Sequence, residues 1–194
     1  PRGRQGHLCS DRLEKGCLVR HLVIPDTQVK AGVPLDHLGW IGRYIVHVKP
    51  DRVVHLMDHY DMPSLSVYDK GKKAMEGRRY TTDIDAGNEG WERLNAPVRR
   101  SKSVNPDMHG TLGNHEDRIN RAVEANPQLE GALGLHNLDA VKDPNWTIHD
   151  FLAPVTVDGT TYAHYFYNHN TGKPYGGQVA TRLKTIGHSF TQGH

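Results

Sequence analysis

Cysteine is scarce: the 194 residues include two, Cys9 and Cys17, too few for a disulfide scaffold. No apolar run approaches the ~20 residues that span a bilayer, and no charged-then-apolar signal opens the chain. A cytoplasmic protein without membrane contact is therefore expected. Charge of one sign is also lacking, since the formal net charge is +2, too little to argue for nucleic acid by itself. There are no internal repeats and no low-complexity tract. With 36% hydrophobic and 24% charged residues, the chain suits one globular domain with a sizeable core.

What is abundant is histidine, at 14 residues. Imidazole is the commonest metal ligand and shuttles protons near neutral pH, so the excess points to a metal site. His37, His47, His55, His136 and His149 show no partner pattern and read as ordinary surface or packed residues. His7, Cys9, Cys17 and His21 have a spacing that matches no standard zinc finger. Residues 1–19 read as a loose leader with reduced thiols. A zinc-dependent DNA-binding protein has only that spacing behind it.

Order is expected from residue 20 to residue 194. Arg20 to Pro25 is a short apolar run that empties into Asp26, as a buried strand does. Leu35, Leu38, Ile41, Ile45 and Val48 recur at helical spacing and stop at Pro50. Arg52 to Met57 is a second strand, ending on Asp58, and the three elements suggest a βαβ unit with parallel strands. From Asp58 to about Met108 the chain reads as a long, polar, turn-rich segment. Its basic clusters are Lys70, Lys72 and Lys73, then Arg78 and Arg79, and then Arg99, Arg100 and Lys102. Loops of this length are often functional, and the alternative is a solvated, partly helical surface insertion. Asp117 to Glu124 reads as a helix. Strands follow at 147–152, 155–157 and 161–166, with an Asp158-Gly159 turn between the last two. A helix over 176–186, capped by Gly187, precedes a last short strand at 189–192.

Potential ligands sit where apolar segments end: Asp26, Asp58 and Asp61, the turn Gly113-Asn114-His115-Glu116, His164 and His194. Open α/β sheets build sites at strand ends. Mixed oxygen and imidazole donors suit manganese, iron or zinc better than calcium.

The ordered set resembles the calcineurin-like metallophosphoesterases. That family reads Asp-x-His, Gly-Asp-x-x-Asp, Gly-Asn-His-Asp/Glu, a lone His and Gly-His-x-His. The counterparts here are Asp26-Thr27-Gln28, Met57 to Asp61, Gly113 to Glu116, His164 and Gly193-His194. The segment Asp61 to Lys73 looks like the variety encoded by tailed bacteriophages, which would set the protein in the host cytoplasm. Gln28 stands where the pattern has His, and Met57 where it has Gly. The chain stops at His194, before the pattern's last His, so a continuation is expected. Gly187-His188 is a rival match for that final motif, but Gly187 looks like a helix cap.

The resemblance implies a four-layer α/β/β/α sandwich, two mixed sheets flanked by helices. It implies two divalent metal ions, manganese foremost, with Asp58 bridging them. Asp26 and Gln28 complete one metal site, and Asn114, His164 and His194 complete the other. His115 touches the phosphate and protonates the leaving oxygen, and Asp61 orients that imidazole or neighbouring ligands. Asn114, His115 and Arg118 contact substrate. The implied activity is phosphoester hydrolysis, with DNA or RNA phosphodiesters favoured because the basic clusters could track a backbone. The alternative is a binding module that keeps the fold with a degraded metal site.

Overall fold

The computed structural model describes residues 18–194. His7, Cys9, Cys17 and most of the leader lie outside the described residues. His21 lies within them, and its ring nitrogens face Tyr162 Oη at 2.8 Å and Asp158 Oδ2 at 3.1 Å.

The architecture is α/β, with two sheets and helices. Strands β1 (His21–Ile24), β2 (Arg52–His55), β3 (Asp107–Thr111) and β4 (Trp146–His149) form one sheet in that order, with every neighbour parallel. Strands β5 (Val155–Val157), β6 (Thr160–Ala163) and β7 (Phe190–Gln192) form the second. There β5–β6 is antiparallel and β6–β7 parallel. Only this smaller sheet is mixed. The larger one departs from the expectation because each of its strands is reached by a crossover, which returns the chain in the same direction.

Helices α1 (Asp36–Val48), α2 (Tyr80–Arg100), α3 (Asp117–Ala125), α4 (Asp139–Lys142) and α5 (Val179–Ile186) complete the fold. The segment read as a long turn-rich loop contains α2, which is 21 residues long. Gly87, Gly90 and Pro97 disguise it in the sequence, because each disfavours a helix interior. Packing explains the glycines. A Cβ on Gly87 would lie 2.0 Å from the Tyr60 ring, and one on Gly90 would lie 3.0 Å from Leu38 and Val29. The buried face of α2, including Ile84, Trp91, Leu94 and Val98, recurs at three- and four-residue steps. Helices α1 and α2 approach so closely that a Cβ on Gly42 would stand 2.2 Å from the Leu94 carbonyl.

Strand β3 also falls at the end of the segment read as loop. Its sequence, Asp-Met-His-Gly-Thr, has little alternation, yet it pairs on both edges in the sheet interior. The main core holds Ile24, Val53, Met57, Leu94, Met108 and Trp146 among others. A smaller cluster of Val54, Leu56, Val157 and Tyr162 joins the two sheets. Helix α5 ends on Gly187 in the left-handed conformation, as the cap reading expects. Among the described residues no helix is long and apolar enough to cross a membrane.

Candidate metal centre

The four parallel strands deliver their C-terminal ends to one edge, and the candidate residues gather there. Asp26 follows β1, Asp58 follows β2, and Asn114 and His115 follow β3. From the second sheet, His164 follows β6 directly and His194 lies just beyond β7. The loops after β1 and β2 run side by side, with Gln28 N–H donating to Asp58 O at 2.8 Å and Val29 N–H to His59 O at 2.7 Å. Met57 and Asp58 take φ values of 56° and 45°. The turn that Gly makes in the resembled pattern is thus made here by non-glycine residues in the left-handed region, a strain typical of functional sites.

Asp58, His164 and His194 each present a ligand atom within 4.8 Å of the others. The first two are buried. His164 Nδ1–H donates to the Leu56 carbonyl at 2.8 Å, which turns Nε2 toward Asn114 Oδ1 at 3.0 Å and Asp58 Oδ2 at 3.3 Å. In a neutral ring that nitrogen carries a lone pair aimed at two oxygens. A proton or a metal ion relieves this arrangement. Burial works against a charged His164, but the hydrogen bond and charge of Asp58 outweigh it and raise its pKa. The same cluster, with the His115 N–H, holds Asp58 below its ordinary value despite the opposing effect of burial. One carboxylate, two imidazoles and an amide oxygen fit a divalent transition metal.

Asp26 and Gln28 are placed differently. The Asp26 carboxylate accepts the His194 N–H at 3.0 Å and lies 3.9 Å from His164 Nδ1, so it borders the cluster. Gln28 is exposed and holds the site through its backbone N–H. Gly193 is required by this approach, since a Cβ there would lie 2.4 Å from Asp26 Oδ1. The rival His188 is exposed, and its Nδ1 faces the Ser189 carbonyl.

His115 stands beside the cluster, with Nε2 3.7 Å from Asp58 Oδ2. Its Nδ1–H is shared by the backbone oxygen and Oδ1 of Asp61, each at 2.9 Å. Arg118 Nη2 donates to Nε2 at 2.9 Å, and Arg118 Nη1 donates to the Asp61 carbonyl at 2.8 Å. Lys30 pairs with Asp61 Oδ2 at 3.3 Å. Burial opposes ionisation of Asp61, but the His115 hydrogen bond and the Lys30 charge prevail and lower its pKa.

Two groups were not assigned roles from the sequence. Glu116, fully buried, accepts N–H bonds from Asp58 and Gly113 through Oε2 and from Tyr60 through Oε1. Burial and the Asp58 charge push its pKa up to about 7. Beneath the site, the Thr27 hydroxyl bridges His59 Nδ1 at 2.7 Å and His55 Nε2 at 3.5 Å. Both rings pack against Trp91. Only the burial of an apolar run around these histidines could have signalled this network.

Comparison with protein-family models, with curated proteins and with solved structures returned no match.

Proposed function

We propose that this protein is a metal-dependent phosphoester hydrolase. The observation that carries the reading is the convergence of Asp58, His164 and His194 beside a histidine whose tautomer is fixed by Asp61. Asp58, Asn114, His164 and His194 would hold one divalent ion, manganese foremost. A second would share Asp58 with Asp26, and Gln28, exposed in this structure, would join them only by turning its side chain inward. Bound metal would supply charge neutralisation for the phosphate and a hydroxide nucleophile at neutral pH.

The chain's own residues supply the rest. Asp61 accepts from Nδ1 and offsets the charge of an imidazolium. His115 therefore acts as the acid in its doubly protonated form, with Arg118 turned off Nε2 and the Nε2 proton passing to the leaving oxygen. Arg118, already donating to that nitrogen, is positioned to transfer its guanidinium to an entering phosphate oxygen. In this reading the two sheets with their helices form the four-layer α/β/β/α sandwich of the metallophosphatases.

A second reading, a binding module with a degraded metal centre, is favoured by the exposure of Gln28. Hydrolysis of bis(4-nitrophenyl) phosphate with added manganese separates the two, read alongside metal content per chain. The hydrolase reading expects turnover in the wild type and near-complete loss in Asp58→Asn and His115→Ala. Metal binding with no turnover under any divalent ion would leave the binding module.

A further inference from the structure

We propose that the groove between the turns at 63–70 and helix α3 binds single-stranded nucleic acid, with Tyr68 and Tyr165 as stacking platforms and Lys70, Arg118 and Arg121 as phosphate contacts. This rests on the hydrolase reading and names its substrate. The groove encloses about 570 Å³ and reaches the metal centre, where Asn114 and His194 form part of its wall. That volume lies within the ordinary range for ligand sites, about 300–1,000 Å³.

Charge selects this groove over its neighbour. Lys70, Arg118 and Arg121 line it, and no acidic residue does. The hollow on the other side of Arg118 is as large, about 570 Å³, but Asp61, Asp69, Glu76 and Asp83 line it along with its basic residues. An anionic chain is therefore drawn to the first. Arg121 is braced by Asp117 at 3.1 Å and donates to the Asn114 carbonyl at 2.7 Å. This holds its cation against the loop that carries a candidate ligand.

Aromatic placement narrows the ligand further. The Tyr165 ring centroid lies 4.9 Å from that of His194, so a base on Tyr165 would sit beside the metal cluster. Tyr68 is 79% exposed, so its ring is open to a base. Bases stack on such rings only when their faces are free, which favours single strands over duplex. Of the basic clusters in the sequence, only Lys70 lines this groove. Arg78 is engaged by Asp69 at 2.7 Å. Arg99, Arg100 and Lys102 lead into the N-terminal end of β3, at the opposite edge of the sheet.

The test is fluorescence anisotropy of a labelled oligothymidylate with the full chain in EDTA, where cleavage is silent, across a salt series. Bis(4-nitrophenyl) phosphate turnover with manganese is measured in parallel. The expected result is salt-dependent binding that Tyr68→Ala weakens by roughly 5- to 100-fold and Tyr68→Phe preserves. Lys70→Ala should lower the salt slope by about 0.7. Absence of binding, indifference to both alanine variants, or tighter binding of duplex or of a phosphopeptide would overturn the proposal. Turnover of the small diester without oligothymidylate binding sinks this inference and spares the hydrolase reading. Binding without any turnover does the reverse.

Discussion

The carboxylate of Glu116 holds Asp58 by its backbone: Oε2 accepts the Asp58 N–H at 3.1 Å. The same oxygen takes the Gly113 N–H at 2.9 Å, and Oε1 takes that of Tyr60 at 2.9 Å. One buried side chain thus ties the turn after β2 to the turn after β3. The His115 N–H returns the tie by donating to Asp58 Oδ1 at 2.9 Å.

Glu116→Ala should therefore leave three buried N–H groups without an acceptor. A loss of roughly 3–5 kcal/mol is expected from urea denaturation. Glu116→Gln should fall between, because an amide keeps one oxygen and turns a donor on the remaining N–H groups. Stability equal to wild type in Glu116→Ala would show that the tie contributes nothing.

Gly113→Ala is expected to abolish metal binding and to lower stability with it. The added Cβ would lie 2.1 Å from Asp58 Oδ1, which accepts the His115 N–H, and 2.8 Å from the Asp58 backbone nitrogen, so both the carboxylate and the backbone of its turn must shift. Isothermal titration with manganese is the measurement. Unchanged affinity would mean that Asp58 is not a ligand.

His115→Ala should lower turnover by about 10²–10⁴-fold, the usual contribution of a positioned proton donor. Asp61→Asn should cost less, about 10–100-fold, because the Asp61 backbone oxygen still accepts from Nδ1. A loss in Asp61→Asn as great as in His115→Ala would place Asp61 in the chemistry itself.

Stability should rise with pH between about 5 and 6, where buried neutral histidines set the slope. Burial lowers the pKa of His59 to about 4 and that of His55 well below its ordinary value. Both histidines therefore take up a proton on unfolding in this window. Glu116 acts with the opposite sign. Its raised pKa keeps a proton in the folded state that the unfolded chain releases, so its contribution falls as pH rises. His149, also lowered by burial, adds to the histidine direction. His59→Gln should reduce the slope of unfolding free energy by about 1.4 kcal/mol per pH unit. An unchanged slope would mean that His59 is charged in the fold.

Strand β1, helix α1, strand β2 and the late strands were legible because their apolar residues recur at the periods that their faces require. The candidate ligands were legible because polar residues interrupt such runs at their ends. Asp26, Asp58 and His194 each follow an apolar segment that Pro, Gly or charge brings to a close. Helix α2 was not legible. Its glycines look like turn residues until Tyr60, Val29 and Leu38 are seen to occupy the space a Cβ would take. Strand β3 was hidden by a polar sequence whose partners come from β2 and β4.

The sequence by itself determined which side chains could bind metal or carry a proton, since that depends on residue type and local order. Only the tertiary structure decided which of them meet. It joined Asp58, His164 and His194 from three separate segments, left Gln28 facing solvent, and gave Glu116 its task. The reason is that ligand geometry depends on where two sheets meet, and those contacts are set by packing between residues far apart in the chain.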